Sequence, residues 1–143
     1  MINLLTGIES TASALDAERI RMDVISQNIA NVNTTKGADG KPYQRQVVVF
    51  ENVLRAQQDS DGGPSGPQSV QVARIQKDGR PARQIYSPGH PDADAHGMVA
   101  MPDINIHEEM VDMISSSRSY EANLAVVKNA RAMAMQALSI VKH

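Results

Sequence analysis

At 143 residues, a formal net charge of −2 and 3% aromatic side chains, the chain has neither the basic field nor the stacking platforms of a nucleic-acid binder. Cysteine is absent, which excludes disulfides, thiolate metal sites and thiol nucleophiles. No apolar run approaches the roughly 18–20 residues of a membrane span, and Glu9, Asp16 and Glu18 interrupt any apolar core for a Sec signal.

The first predicted element runs from about Leu4 to Val32. Leu5, Ile8, Ala12, Leu15, Met22, Ile25, Ile29 and Val32 recur mostly every three or four residues, which lines them along one helical face. Asn31, Asn33 and Thr34 then compete for backbone hydrogen bonds and should stop the helix.

The middle of the chain holds the breakers. All seven prolines lie between Pro42 and Pro102, and eight of the nine glycines between Gly37 and Gly97. Turns and short extended pieces are expected there. Tyr43 to Phe50, Val70 to Ile75 and Gln84 to Tyr86 read as strands, with a Gly/Pro-rich loop from Asp59 to Pro67 between the first two. So few large apolar side chains make a small, marginal β module.

The last element spans about Ile106 to Val141. Met110, Met113, Tyr120, Leu124, Val127, Ala134, Leu138 and Val141 form one row, broken by Ser117 and Arg131. Val126, Ala130, Met133, Ala137 and Ile140 form a second row beside it, so the apolar face is wide. Asp103, Glu108, Glu109 and Asp112 near its start, with Lys128, Arg131 and Lys142 later, offset the helix dipole. The fold class is therefore α+β. Long terminal helices over residues 1–33 and 106–143 pair as an antiparallel, coiled-coil-like hairpin, and residues 34–105 form a small β-rich module.

Apolar surface exceeds what one helix pair needs. The C-terminal face is too wide for one partner, and Ile2, Leu4, Ile20 and Val24 lie off the N-terminal stripe. Two readings stand at this level: burial against other subunits, or an ordinary helical hairpin whose surplus is covered by the β module.

Chemistry is sparse. His90, Asp92, Asp94 and His96 alternate in a way that could ligate a metal, and Asp92 to Asp103 imitates a calcium loop. However, His96 occupies an oxygen-ligand place, Asp103 replaces the long bidentate Glu, and Pro88 and Pro91 forbid the entering helix. A tight turn capped by its own Asx hydrogen bonds fits these residues better, against a metal-responsive module on residues 90–103 as the competing reading. Ser115, Ser116 and Ser117 have no suitably spaced base, and suit close approach of another helix. Catalytic, cofactor and metal residues are expected to be none, and no small-molecule substrate is expected.

Ile25-Ser-Gln-Asn-Ile-Ala-Asn-Val-Asn-Thr-Thr35 resembles the N-terminal signature of the flagellar rod and hook axial protein family, where an amphipathic helix ends in an Asn-rich stop. Tyr43 to Phe50, Tyr86 to Val99 with Pro102 to Asn105, and Glu109 to Ile114 with Arg118 to Asn123 resemble the first strand, central loop and C-terminal helix of its proximal-rod members. The signature positions are Asn28, Asn31, Asn33 and Thr34, then Pro88, Gly89, His90 and Pro91, then Arg118, Tyr120, Glu121 and Asn123. The resemblance implies a non-enzymatic subunit of the flagellar basal-body rod, in the periplasm, exported by the flagellar type III machinery without a cleaved Sec signal. It implies a hollow axial drive shaft whose inner wall is built from terminal helices, and which transmits torque and passes later subunits. Implied partners are further copies, other proximal rod proteins, the export-gate adaptor ring and the distal rod, with no nucleic acid. Leu5, Ile8, Leu15, Met22, Ile25, Ile29, Met113, Tyr120, Leu124, Val127, Leu138 and Val141 are then the expected subunit-packing residues.

Overall fold

A computed structural model of the chain describes residues 4–54 and 68–141. The expected loop at 59–67, with Ile2 and Lys142, lies outside the described residues. Two long helices, α1 (Leu4–Ala30) and α2 (Ile106–Val141), enclose four strands in sequence: β1 (Gln46–Leu54), β2 (Gln68–Lys77), β3 (Arg83–Tyr86) and β4 (Met98–Met101). The class is α+β, as the breaker distribution predicts.

Helix ends follow local chemistry. α1 stops at Ala30, where Asn31 takes over: its backbone N–H and its Nδ2 both donate to the Gln27 carbonyl, at 3.1 and 2.9 Å. Thr34 then donates its N–H to the Asn31 carbonyl and its hydroxyl to Asn31 Oδ1. Residues that satisfy last-turn carbonyls from outside the helix terminate it. α2 begins behind Asn105, whose Oδ1 accepts from the His107 N–H at 3.1 Å while its Nδ2 donates to Glu108 at 3.2 Å. This reciprocal cap, with Glu108 and Glu109 in the first turn, favours the positive end of the dipole.

The strands form two separate antiparallel hairpins, β1 with β2 and β3 with β4. In the first, Val49 pairs with Arg74 but Phe50 with Val72, so Ala73 bulges out. That extra residue resets the parity of β2, so Val72 and Ile75 both oppose the Phe50 and Val48 side of β1. β4 is not among the sequence-predicted strands: its four residues lie against β3 at the end of the Pro/Gly-rich loop.

α1 packs against α2 and against both strands of the first hairpin, whereas α2 packs against α1 alone among the described elements. The core is small. It centres on Ala17, Val24 and Ile25 of α1, Val99 of β4, Pro102 and Ile104 before α2, and Ala130 on α2. Val24, off the predicted α1 stripe, is buried inside the chain, so for α1 it is the hairpin that absorbs surplus apolar surface. Ser116 is fully buried on α2, where a small side chain permits close approach, while Ser115 is exposed.

Candidate functional site

Where α1 ends, β1 begins and α2 starts, a buried polar node ties the three together. Asn28 and Glu109 are each 1% exposed. Asn28 Nδ2 donates to the Gln46 carbonyl at 2.9 Å and to Glu109 Oε2 at 3.0 Å. Its Oδ1 accepts from the Gln46 N–H at 2.9 Å and from the Tyr43 hydroxyl at 3.0 Å. One amide thus pairs with the edge of β1 as a neighbouring strand would, and all four of its bonding positions are used. Burying an amide costs little when every position is filled.

Glu109 is buried as a charge and is held by Arg45, whose Nε donates to Oε1 at 2.6 Å. Arg45 also reaches Asp78 at 3.4 Å and Asp112 at 3.8 Å, and Asp78 receives Arg80 at 2.9 Å. Burial alone would lower the Arg45 pKa, but the hydrogen bonds and charges of Glu109 and Asp78 outweigh it and raise it. The Tyr43 hydroxyl is pushed up by burial first and by the Glu109 charge second, so it remains a neutral donor. Asp78 is held below its usual range chiefly by the Arg80 hydrogen bond. These groups are mutually neutralised, and the arrangement fixes geometry rather than activating a nucleophile.

Of this node, the sequence-derived set contains Asn28, and its partners were missed as a group. Spacing did carry a signal for one of them: Glu109, Met113, Ser116 and Tyr120 step by four, three and four, which puts Glu109 on the α1-facing row.

The Pro88, Gly89, His90 and Pro91 segment is a chain of turns. His90 N–H donates to the Ser87 carbonyl, and Asp94 Oδ1 accepts from the His96 and Met98 N–H groups at 2.8 and 2.9 Å. Asp92 faces elsewhere, accepting from the Thr35 hydroxyl at 2.8 Å beside Lys36. The loop therefore docks on the chain leaving α1, and its two carboxylates serve different partners. Gly97, at φ +74°, would place a Cβ 3.0 Å from the Tyr86 ring and 3.2 Å from Pro88. Only glycine suits both the left-handed backbone and that approach.

The expected packing residues divide. Ile25 is buried within the chain; Ile8, Leu15, Met22 and Ile29 on α1, and Met113, Tyr120, Leu124 and Val127 on α2, are half-buried. Leu138 is exposed, and the side chains of Leu5 and Val141 lie outside the described set. Of the other signature positions, Asn33, Arg118 and Glu121 are exposed and Asn123 half-buried. On α2, Ile106, Met110, Val111, Ile114, Val126, Met133, Met135 and Leu138 all remain exposed. No α1 side chain larger than alanine is an exposed apolar residue among those described. Of the two helices, it is α2 that carries the open apolar surface.

A groove of about 280 Å³ opens beside the node, between α1, the root of the first hairpin and the start of α2. Val24, Ile25, Val47, Val48 and Phe50 line it, with Arg21 and Asp112 among the charged residues on its walls.

Comparison with known proteins places this architecture. The family model described as flagella basal body rod protein matches residues 8–38. The model described as flagellar basal body rod FlgEFG protein C-terminal matches residues 95–140. The chain is 42% identical to the flagellar basal-body rod protein FlgC of Borreliella burgdorferi, covering 99% of both chains. It is 40% identical to that of Bacillus subtilis over 95% of this chain and 97% of the relative. Against that of Salmonella typhimurium it is 37% identical over 96% and 97% respectively.

Proposed function

This chain belongs to the FlgC family of flagellar basal-body rod proteins, and from that premise we propose that it builds the proximal rod by polymerising through its terminal helices, without catalysis. The observation that carries this reading is the open apolar face of α2, which packs against α1 alone among the described elements. Covering Ile106, Met110, Val111, Ile114 and Val126, each about half exposed, is worth about 4–8 kcal/mol before the cost of association. The partners that cover them are further copies and other rod proteins, with the export-gate adaptor ring at one end and the distal rod at the other. The rod stands in the periplasm, reached through the flagellar type III gate without a cleaved Sec signal, and it carries torque around a channel for later subunits. Met113 and Tyr120 lie in the row that faces α1, and what remains open of them and of half-buried Leu124 and Val127 adds to the subunit contacts.

The test uses cells lacking their own copy of the gene, supplied with the chain carrying Ile114→Asp and Val126→Asp. Both side chains are exposed, so the purified variant should melt within about 2 °C of the parent. Motility and the chain's presence in isolated basal bodies should both be lost. Normal swimming would refute the assignment of this face.

A further inference from the structure

Sulfur enters this chain only as thioether: there are eight methionines and no cysteine. Met1 lies outside the described residues, and Met22, Met98, Met101 and Met113 are half-buried. Met110, Met133 and Met135, all on α2, are 51%, 59% and 63% exposed. Oxidation of a methionine follows its exposure, so these three are the reactive ones among the described residues.

Their surroundings differ. Met135 has Arg131 one turn before it and Ser139 one turn after, and Met133 has Asn129 and Ala137, so a polar atom added at either joins polar or small neighbours. Met110 has Ile106 one turn before it and Ile114 one turn after, with Val111 beside it, and all three are exposed. Its thioether therefore stands at the centre of an open hydrocarbon patch. Glu109, the preceding residue, is bonded by Asn28 and Arg45, which fixes this turn of α2 and keeps Met110 facing outward.

Resting on the rod reading, we propose that Met110 is an oxidation site for peroxides, and that its oxidation makes the free chain unfit for the rod. The thioether sulfur attacks one peroxide oxygen, an S–O bond forms as the O–O bond breaks, and the second oxygen leaves as water. Sulfur loses two electrons and the peroxide gains them. The sulfoxide places a strongly polar oxygen between Ile106 and Ile114, and burying it without a hydrogen-bond donor is unfavourable. Met113, in the row facing α1, reacts more slowly because the helix pair limits approach. Once the face is covered Met110 is out of reach, so the sensitivity belongs to the chain before incorporation. Methionine sulfoxide reductases reverse the change.

The test starts from the purified full chain, treated with limiting hydrogen peroxide and mapped by peptide mass. Met110 should gain oxygen at least about fivefold faster than Met113. The oxidised chain should melt within about 2 °C of the parent, because the side chain is exposed. Cells lacking their own copy are then supplied with the parent chain or with Met110→Leu, which keeps the apolar surface and removes the sulfur. A hydrogen peroxide pulse while rods are being built should lower the parent's content in isolated basal bodies at least about threefold relative to Met110→Leu. Met110→Gln, a permanent polar substitute, should lower it without peroxide. Equal oxidation rates at Met110 and Met113 would overturn the proposal and leave the rod reading intact. So would equal losses of the parent and Met110→Leu, or a normal content of Met110→Gln. Absence of the unaltered chain from basal bodies of untreated cells would overturn the rod reading itself.

Discussion

Replacing Asn28 by aspartate changes one atom and should reverse the electrostatics of the central node. The native amide donates to Glu109 Oε2 at 3.0 Å while accepting from Tyr43 and the Gln46 N–H. Aspartate keeps the acceptor but puts a second oxygen of like charge where the donor stood. At an effective dielectric of about 20, two unit charges 3 Å apart repel by about 5 kcal/mol, an upper limit because the carboxyls can share a proton instead. The Gln46 carbonyl also loses its donor, at about 1–3 kcal/mol if left unpaired. A net loss of about 3–4 kcal/mol lowers Tm by about 10 °C at neutral pH. The sign of the pH dependence is diagnostic. Pairing raises the carboxyl pKa in the folded state, so the folded variant binds more protons than the unfolded one. Its stability is then present in acid and lost as pH rises through the raised value. Thermal melts of Asn28→Asp, Asn28→Ala and the parent across the acid-to-neutral range check this. Asn28→Ala, which leaves the partners unsatisfied but adds no charge, should be destabilised without that extra recovery in acid. An Asn28→Asp chain within about 1 kcal/mol of the parent at neutral pH, with no recovery in acid, would refute the claim that Asn28 is the node's centre.

Three further outcomes follow from the same packing. Ile25→Asp buries an unpaired charge in the α1 core and should unfold the monomer, costing about 3–5 kcal/mol in denaturant melts, unlike charges placed on the open face of α2. Gly97→Ala forces a left-handed backbone and a crowded Cβ, so it should cost about 2 kcal/mol and speed amide exchange in β3 and β4. Asp78, whose pKa is lowered by Arg80 and Arg45, contributes stability above its unfolded pKa that is lost as pH falls through the folded value. Asp78→Asn should flatten that acid limb, as read from hydrogen exchange at the root of the first hairpin.

The two helices were legible because their residues repeat every three or four and because Asn31 and Asn105 mark where backbone bonding changes hands. The first hairpin was legible from Val-rich runs flanking polar turns. β4 was not: Met98 to Met101 is short and shows no alternation, and it becomes a strand only because β3 lies opposite. Nor could spacing reveal the bond between Asn28 and Glu109, 81 residues apart, which exists because two helix ends meet at one strand. For the same reason the sequence treated the two helices as equally short of partners. Val24 looked like surplus until the hairpin closed over it.

That inequality between the helices bears on how such a chain assembles. Seven apolar side chains are buried among the described residues, and two of them are alanines and one a proline, so the folding core is small. A small domain's net stability is about 5–15 kcal/mol, and covering the open face of α2 supplies an amount of similar size. Whatever part of that burial survives the cost of association adds to the chain's own stability, so a subunit once incorporated is harder to unfold than a free one. The node at Asn28 is suited to this division. It fixes the hairpin and the start of α2 against α1 before assembly, through groups already paired, and leaves the open face of α2 free to find its neighbours. Weakening the node should therefore lower monomer stability more than it lowers the stability of the finished polymer, where neighbouring helices hold α2 independently.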